Sequence, residues 1–427
     1  MDDFNIDADD AANLPDATLL PTLSRIESSF NMEEVQNRLG DNPSAPSLTN
    51  EIKLSLPLNA KQSIIVEHVL SGALNWKDDP YNSSSTRKQL LIYVGGKPGV
   101  GKSRVCDAIL AGLRLVDRQD EIALLAPTGV AADNIGGSTY HSALGISLRK
   151  TQKPDVSAQI KRLWANKTIL IIDEISMTDL STLATIDRQC KAAKAQQSSS
   201  PDLFGGIPTV ILMGDFFQFP PVRGRPLWKE PRPSNDDDIT GQQIWHRFEN
   251  VIILDEQMRQ SEDPSFCELL DRARTGSLTH EDLAFFNSKV VSSIYDPEWE
   301  SATIIAKRNS LRHAINRSLL LNFASARGQR VYLFPAQHFR TQTASNFPFP
   351  LHDLLSHADE STKCPFPGLF MYSLDMPIMV LTNVCTSMGL VNGAIGTAVG
   401  IIPDSSGISS MSLINYFNVH VTNFLYH

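Results

Sequence analysis

The segment 96–103, GKPGVGKS, has the spacing of glycine, lysine and serine that binds the phosphates of a nucleotide. It follows the apolar run LLIYV and opens a helical pattern, which is the strand, loop and helix context that such a loop needs. Lys102 would reach the β- and γ-phosphates, and the hydroxyl of Ser103 would bind Mg²⁺. The alternative is a glycine turn with a surface lysine. The pattern predicts a nucleoside-triphosphate site formed by Gly96, Gly99, Val100, Gly101, Lys102 and Ser103.

A second candidate group is the acidic pair in TILIIDEIS, residues 168–176, at the end of another apolar run. Open α/β sheets place their ligands at the carboxyl ends of their strands. Asp173 would hold the magnesium ion, directly or through water, and Glu174 would act as the general base that positions the attacking water. The alternative is a pair of solvated surface charges.

The segment GDFFQFPPV, residues 214–222, also ends an apolar run. The side chain of Gln218 could contact the γ-phosphate and report its loss. The residues themselves allow a second interpretation equally well, in which Asp215 caps a turn and the three phenylalanines of the segment lie in the core.

Net charge at first argues against a nucleic-acid partner, because the chain of 427 residues carries −9. The charge is uneven. Residues 1–50 hold ten acidic and two basic residues, whereas the rest of the chain holds 36 basic and 37 acidic residues. The body of the protein is therefore nearly neutral and can contain a basic groove.

Several protein classes are excluded by composition. The longest apolar runs are far shorter than the ~18 residues that cross a bilayer, so we expect no membrane partner. The five cysteines form no CxxC pair and have no zinc-site spacing with histidine, which fits a reducing compartment. The acidic start has neither the features of a signal peptide nor those of a mitochondrial presequence.

The hydrophobic pattern indicates an α/β fold. Helical segments alternate with apolar strand candidates, which predicts a doubly wound parallel sheet covered on both faces. Asn59 is the expected N-cap of the helix that begins LNAKQ. The strand candidates are LLIYV, IALLA (122–126), TILIID (168–173), TVILMGD (209–215), NVIILDE (250–256) and, in a second unit, ATIIA (302–306).

Three regions follow from these patterns. Residues 1–50 are predicted to be an acidic, disordered tail, and residues 57–256 a complete nucleotide-binding lobe. Residues 257–427 would form part of a second lobe. From about 328 the segments VYLF, PIMVL, GAIGTAVGII and FNVHV suggest a small β-rich, barrel-like insertion.

Six motifs in a fixed order resemble a known family over roughly residues 57–402. The chain is similar to the PIF-type (petite integration frequency) DNA helicases of superfamily one, including the branch carried by Helitron transposons. The resemblance implies RecA-like lobes of the P-loop NTPase fold. The motifs are GGKPGVGKS, APTGVAADNIGGSTYHSALGI (126–146), IIDEISM (171–177), GDFFQFPPV, LDEQMRQ (254–260) and GLVNGAIG (389–396).

The resemblance also implies roles at the nucleotide. Gln62 would read the adenine edge, and Gln218 would be the γ-phosphate sensor that links hydrolysis to movement. Arg259 would reach across the cleft to stabilise charge on the transferred phosphoryl group. The alternative for Arg259 is a surface salt bridge with Asp255 or Glu256.

Further positions resemble the family's contacts with single-stranded DNA. Thr128 and Gly129 match the loop that grips the strand's phosphates, and Thr139 and His141 match part of the strand-contact and coupling surface. A packed, hydrogen-bonded histidine is the alternative for His141. Residues 147–166, with five basic residues, lie where the family has its strand-separating wedge, although a solvated amphipathic loop fits the sequence as well.

The function that the resemblance implies is ATP-dependent, 5′→3′ translocation on single-stranded DNA with unwinding at duplex junctions. ATP and Mg²⁺ would be the cofactors. The family's settings are DNA repair, recombination and telomere maintenance in the nucleus, although no basic targeting cluster supports that location. We expect a monomer.

One family feature has no counterpart here. The YVALSR-like motif, whose arginine contacts the γ-phosphate from the second lobe, does not occur, so we expect an incomplete second lobe. The alternative function is therefore a transposon-derived remnant that binds ATP or single-stranded DNA without unwinding. A nucleotide kinase is disfavoured, because GDFFQFPPV and LDEQMRQ would then have no explanation.

Overall fold

The structure, a computed structural model, describes residues 35, 38–40, 43–77, 89–146, 156–194, 202–260, 262–291, 302–335, 369–380 and 394–401. The described residues fall into two compact units. The first runs to Asn287, and the second contains the described residues from Ser288 onwards. The sequence pattern had suggested a boundary at 256/257. The observed one lies later because the two helices after residue 263 form ion pairs within the first unit.

A six-stranded parallel sheet forms the centre of the first unit, in the spatial order β3-β2-β4-β5-β1-β6. All five strand candidates of this unit are confirmed. The strands are β1 (Leu90–Gly96), β2 (Ile122–Ala126), β3 (Ser138–Thr139), β4 (Ile169–Ile172), β5 (Thr209–Gly214) and β6 (Asn250–Leu254).

Helices surround this sheet in the first unit. They are α1 (Ala45–Ser55), α2 (Ala60–Lys77), α3 (Lys102–Arg114), α4 (Gly129–Asn134), α5 (Tyr140–Ala143), α6 (Ala158–Ala165), α7 (Leu180–Lys194), α8 (Asp236–Trp245), α9 (Pro264–Thr275) and α10 (His280–Ser288). None of the helices in the described ranges has the length and apolar character needed to cross a membrane.

Alternating side chains along the strands build two cores, one on each face of the sheet. On β1, Ile92 and Val94 join one apolar cluster, whereas Leu91 and Tyr93 join the other. Because neighbouring residues of a strand point to opposite faces, this division shows that the central strands are covered on both sides. The doubly wound α/β prediction is confirmed.

Helix α2 begins with a reciprocal cap. The N–H of Gln62 donates to Asn59 Oδ1 at 2.9 Å, and the N–H of Asn59 donates to Gln62 Oε1 at 2.9 Å. Two N–H groups that lack intrahelical partners are thereby satisfied. The N-cap prediction for Asn59 is confirmed, and the cap also fixes the position of Gln62.

The prediction of a disordered tail over residues 1–50 is wrong for its described end. Helix α1 begins at Ala45 after the N-cap Ser44, and its Leu48 and Ile52 are fully buried in the apolar cluster that contains α2 and α3. A buried leucine or isoleucine contributes about 1.5–3 kcal/mol relative to an exposed one. The composition of residues 1–50 as a whole is acidic and polar, so it does not reveal two apolar residues at helical spacing. For this reason composition alone did not predict the helix. Residues 1–34 lie outside the described range.

The second unit contains α11 (Asn309–Ala326) and four short strands in two antiparallel pairs. VYLF, PIMVL and GAIGTAVGII each contribute a strand, as predicted, while FNVHV lies outside the described residues. The pairs do not form a barrel within the described range. The strands are β7 (Tyr332–Pro335), β8 (Leu369–Tyr372), β9 (Pro377–Met379) and β10 (Ile395–Thr397).

The predicted strand at 302–306 is wrong. These residues have no regular secondary structure, and the side chain of Ile305 is 94% exposed. A strand needs a hydrogen-bonded neighbour, and no described segment pairs with this one. Apolar composition cannot reveal whether such a neighbour exists.

Candidate nucleotide-hydrolysis site

The phosphate loop connects β1 to α3 at the carboxyl edge of the sheet. Gly99 and Gly101 have φ values of 86° and 83°, a backbone conformation that glycine adopts without steric cost. Lys102 begins α3, and its Nζ donates to the carbonyl oxygen of Gly96 at 2.8 Å. Ser103 is exposed one residue further. The loop thus has the conformation that the motif predicts, with the lysine folded back over it.

Crowding gives a second reason for the two glycines. A Cβ at Gly99 would lie 2.2 Å from Gln257 Oε1, and a Cβ at Gly101 would lie 2.4 Å from Gln62 Nε2. These two glutamines flank the loop, and both donate to it. Gln62 Nε2 bonds the carbonyl oxygen of Val100 at 3.1 Å, and Gln257 Nε2 bonds that of Pro98 at 3.2 Å.

The acidic pair follows β4, which lies beside β5, itself the neighbour of β1. Asp173 is 5% exposed, and its Oδ1 is buried without a hydrogen-bond partner. Burial raises the pKa of Asp173, against the opposing effects of a backbone hydrogen bond and the Lys102 ammonium. A buried carboxylate oxygen without a partner is costly unless a cation compensates it. The orphaned oxygen therefore fits a Mg²⁺ ligand.

Glu174 directly follows, in the left-handed backbone region with φ 50°. Burial raises its pKa, and the nearby carboxylates of Asp173 and Asp215 raise it further, while Lys102 acts in the opposite direction. A raised pKa makes a carboxylate a better proton acceptor near neutral pH. These electrostatic contacts place Lys102, Asp173, Glu174 and Asp215 at one edge of the sheet.

The turn after β5 presents Gln218, which is half-buried. The N–H of Gln218 donates to the carbonyl oxygen of Asp215 at 2.9 Å, and the N–H of Phe217 donates to Asp215 Oδ1 at 3.1 Å. Asp215 therefore caps this turn. The expectation that all three phenylalanines lie in the core is wrong, because only Phe216 packs there, while Phe217 and Phe219 are 68% and 82% exposed.

Asp215 also forms an ion pair that the sequence did not predict. It is 2% exposed, and both of its carboxylate oxygens accept hydrogen bonds from the guanidinium of Arg274 on α9. Burial alone would raise the pKa of Asp215, but the hydrogen bonds from Arg274 and from Phe217 outweigh burial and hold the pKa below its usual value. A buried carboxylate needs a cation, but nothing local identifies which basic residue supplies it.

Arg259 lies next to the phosphate loop with its side chain exposed. Its backbone N–H and that of Met258 donate to the carbonyl oxygen of Gly99 at 3.2 and 2.9 Å. Asp255 forms its salt bridge with Lys61, at 2.7 Å. A salt bridge between Arg259 and Asp255 is therefore not observed in the described part of the chain. The role of the Arg259 guanidinium stays a prediction.

The four predicted strand-contact residues lie at the other end of the same edge: Thr128 and Gly129 follow β2, Thr139 ends β3, and His141 follows it. The hydroxyl oxygens of Thr128 and Thr139 each accept a backbone N–H, from Ala131 at 3.2 Å and from Ser142 at 3.3 Å, and so cap α4 and α5. Gly129 is the first residue of α4.

His141 is half-buried, and its ring centroid lies 4.7 Å from that of Tyr140. Burial lowers the pKa of His141 below its usual value. The imidazole is therefore neutral at pH 7. The ring contact agrees with the packed-histidine alternative, and it leaves a role in strand contact open.

The predicted wedge, residues 147–166, is described only from 156 onwards. Helix α6 lies here, and its Trp164 is buried and donates Nε1–H to the carbonyl oxygen of Ala143 at 3.0 Å. Trp164 is thus a core residue that fastens α6 to α5. Residues 147–155, with three of the five basic residues, lie outside the described ranges.

Sequence reasoning missed Arg274 and Gln257. Gln257 stands in the LDEQMRQ motif and could have been found from that context, because it lies two residues before Arg259. Arg274 has no such signal. Among the described residues, no group of three or more His, Cys, Asp or Glu side chains is arranged to hold a metal ion.

The chain is similar in sequence to two curated helicases. The chain is 29% identical over 292 residues to the ATP-dependent DNA helicase PIF1 of Saccharomyces cerevisiae (strain YJM789), covering 67% of this chain and 31% of the relative. It is 26% identical over 421 residues to human ATP-dependent DNA helicase PIF1, covering 95% of this chain and 55% of the relative. The chain therefore spans about a third to just over half the length of these two curated relatives.

The crystal structure of Pif1 helicase from Candida albicans is similar in fold, with a TM-score of 0.56, 23% identity and coverage of 82% of this chain and 71% of the other. At this identity the match concerns the fold alone. The family model described as PIF1-like helicase matches residues 77–282, which include the phosphate loop, the acidic pair, the Gln218 turn and Arg274. The region of the chain that is similar to this family model therefore contains the candidate site.

Proposed function

We propose that the protein is an ATP-dependent DNA helicase that couples ATP hydrolysis to 5′→3′ translocation on single-stranded DNA and to duplex unwinding. The observation that carries this proposal is the meeting of Lys102, Asp173, Glu174 and the Gln218 turn at one edge of the sheet. Two relatives are ATP-dependent DNA helicases by name, which supports the same activity.

The residues at this edge would share the work of phosphoryl transfer. The loop N–H groups and Lys102 would hold the β- and γ-phosphates, and Lys102 would exchange its bond to Gly96 for one to phosphate. Glu174 would accept a proton from the attacking water, for which its raised pKa is suited. Gln218 would contact the γ-phosphate and change partners when that phosphate leaves.

Ser103 and Asp173 would hold Mg²⁺. A bound Mg²⁺ would neutralise charge on the phosphate oxygens during transfer. The fit rests on the buried Oδ1 of Asp173, which has no protein partner.

DNA would lie across the β2 and β3 end of the edge, at Thr128, Gly129, Thr139 and His141, with Arg259 acting at the nucleotide. Single strands and duplex junctions are the proposed partners. The family resemblance is also the basis for proposing a nuclear role in DNA repair, recombination or telomere maintenance. Imaging of a tagged chain tests the nuclear part of this proposal.

The direct test measures ATP hydrolysis with and without single-stranded DNA, together with strand displacement on a forked duplex. We expect DNA to stimulate hydrolysis in the parent, and Glu174→Gln to bind ATP with little turnover. Loss of a group that stabilises the transition state lowers turnover by about 10²–10³-fold, and we expect a loss of that size for Lys102→Ala.

Lys53→Ala, at an exposed position of α1, is the matched control and should behave like the parent. Equal hydrolysis by the parent and Lys102→Ala would contradict the site. Stimulated hydrolysis without strand displacement would instead support the alternative of a non-unwinding ATP-binding protein.

A further inference from the structure

Helix α9 carries two oppositely charged residues one turn apart, and each pairs with a different loop of the nucleotide edge. Asp271 Oδ2 accepts a hydrogen bond from Lys97 Nζ at 2.5 Å. Lys97 belongs to the phosphate loop. Arg274 forms its two-pronged pair with Asp215, which begins the Gln218 turn. One rigid helix thus contacts both the loop that would bind ATP and the turn that would detect its γ-phosphate.

Arg274 contacts two residues that define the shape of the turn, Asp215 and Phe217. Asp215 accepts the N–H of Phe217 through its carboxylate and the N–H of Gln218 through its carbonyl oxygen. The guanidinium of Arg274 also lies over the ring of Phe217, 4.5 Å from its centroid. A displacement of Arg274 would therefore move the two residues that define the turn.

The opposite side of the turn is anchored by aromatic packing. The ring of Phe216 lies 5.4 Å, centroid to centroid, from each of Tyr93, Trp228 and Trp245. These ring contacts hold Phe216 in the core, whereas the Arg274 contact acts on the opposite side of the turn. The two tryptophans also make the turn observable by fluorescence.

The segment that leads into α9 is fastened to the phosphate loop as well. Gln257 donates to the carbonyl oxygen of Pro98, and the N–H groups of Met258 and Arg259 donate to that of Gly99. Together with the Lys97–Asp271 pair, these bonds attach α9 to the loop at two places. A change in the loop on phosphate binding would therefore be passed to α9.

We propose that α9 links the phosphate loop to the Gln218 turn, and that Arg274 is the positioning residue that sets Gln218 through Asp215. This inference rests on the proposed function, because Gln218 acts only if ATP binds and is hydrolysed at the loop. A purely structural ion pair would stabilise the first unit without affecting communication between the two loops.

The experiment compares Arg274→Lys with Arg272→Lys on the same helix. Lysine keeps the charge but cannot reproduce the two-pronged geometry. Arg272 is a matched control, because it makes an equivalent pair with Asp282 on α10, at 2.8 and 2.7 Å, away from the nucleotide edge. Both variants lose one such pair, and thermal unfolding shows whether they lose similar stability.

We expect Arg274→Lys to lower kcat for DNA-stimulated ATP hydrolysis, because small displacements of positioned groups cost up to about 10²-fold. A loss of about tenfold or more, with KM for ATP nearly unchanged, would fit a residue that acts after ATP binds. The tryptophan fluorescence change on addition of ATP should also disappear. Arg272→Lys should keep both properties of the parent.

Asp271→Asn tests the other end of the link if Arg274→Lys does not fold, since its side chain is 48% exposed. It should weaken the same fluorescence response. Equal effects of Arg274→Lys and Arg272→Lys, an unchanged kcat in Arg274→Lys, or a parent without a fluorescence response would each overturn the inference.

Failure of the proposed function gives a different result. A parent that binds ATP with a fluorescence change, but hydrolyses none, contradicts the helicase proposal. The link is then judged by whether Arg274→Lys loses that binding signal and Arg272→Lys retains it.

Discussion

The two ends of the sheet's carboxyl edge differ in how their polar groups are satisfied. At the nucleotide end, formed by β1, β4 and β5, Asp173 has a buried oxygen without a partner, and Lys102 bonds only to backbone carbonyls of its own loop. At the proposed strand-contact end, formed by β2 and β3, Thr128 and Thr139 already accept backbone N–H groups.

This difference indicates how each end would work. The nucleotide end holds a buried carboxylate oxygen, Asp173 Oδ1, that has no hydrogen-bond partner without a ligand, so ligand binding and chemistry would be linked there. At the strand-contact end the hydroxyl oxygens of Thr128 and Thr139 already cap helices, so these side chains stabilise the fold in addition to any contact with DNA. Substitutions at the first end should change activity more than stability, and substitutions at the second should change both.

The largest expected effect is at Asp173. Asp173→Asn should lower Mg²⁺-dependent ATP hydrolysis by about 10²–10³-fold, as for other groups that stabilise the transition state. The free energy of unfolding of the ligand-free protein should not fall, because the substitution removes the charge of a buried carboxylate whose Oδ1 has no hydrogen-bond partner. Steady-state hydrolysis and urea unfolding measure the two quantities.

Asp236→Asn, at an exposed position on α8, is the control and should leave both quantities unchanged. A marked loss of stability in Asp173→Asn with normal turnover would contradict the contrast between the two ends.

A smaller effect is expected at Thr128. Thr128→Ala removes the cap of α4, and loss of an N-cap oxygen costs about 1 kcal/mol of stability. If Thr128 also contacts the strand, affinity for single-stranded DNA should fall in addition. Thermal unfolding and fluorescence anisotropy with a labelled oligonucleotide separate the two losses.

Thr128→Ser keeps the capping hydroxyl and should restore most of the stability. Ser44→Ala removes the equivalent cap of α1 and should leave DNA affinity unchanged. Equal DNA affinity in Thr128→Ala and Ser44→Ala would remove Thr128 from the strand-contact set.

The smallest effect is expected when His141 is replaced and the salt dependence of DNA affinity is measured. Because burial lowers its pKa, the imidazole is uncharged at pH 7. His141→Gln should therefore leave the slope of log affinity against log salt unchanged, even if affinity itself falls. A charged contact with one phosphate would change that slope by about 0.7 for a single strand, so a change of this size at pH 7 would show that the histidine binds as a cation.

Much of the first unit could be predicted, because its signals are local. Each central strand is an apolar run in the sequence. The cap at Asn59 is predicted by an asparagine that directly precedes a helical pattern. The phosphate loop is predicted by its glycines. Gly99 and Gly101 have positive φ values, which few other residue types adopt. The six motifs in order indicate the resemblance to PIF-type helicases, and the PIF1-like helicase family model matches residues 77–282.

Other features depend on partners far away in the chain. Asp215 and Arg274 are 59 residues apart, and nothing near either of them indicates the other. Helix α1 is stabilised by α2 and α3 and not by its own composition. The run at 302–306 is apolar like the true strands, but it lacks a neighbouring strand within the described residues.

The sequence by itself determined the candidate nucleotide site of this protein, since a phosphate loop and a strand-end acidic pair are defined by residue types at short spacing. Only the tertiary structure decided which charges are compensated. It left Asp173 Oδ1 without a hydrogen-bond partner, paired Asp215 with Arg274, and placed α9 in contact with both the phosphate loop and the Gln218 turn. The physical reason is that burial and ion pairing arise from the packing of distant segments, whereas loop conformation and capping arise from neighbours.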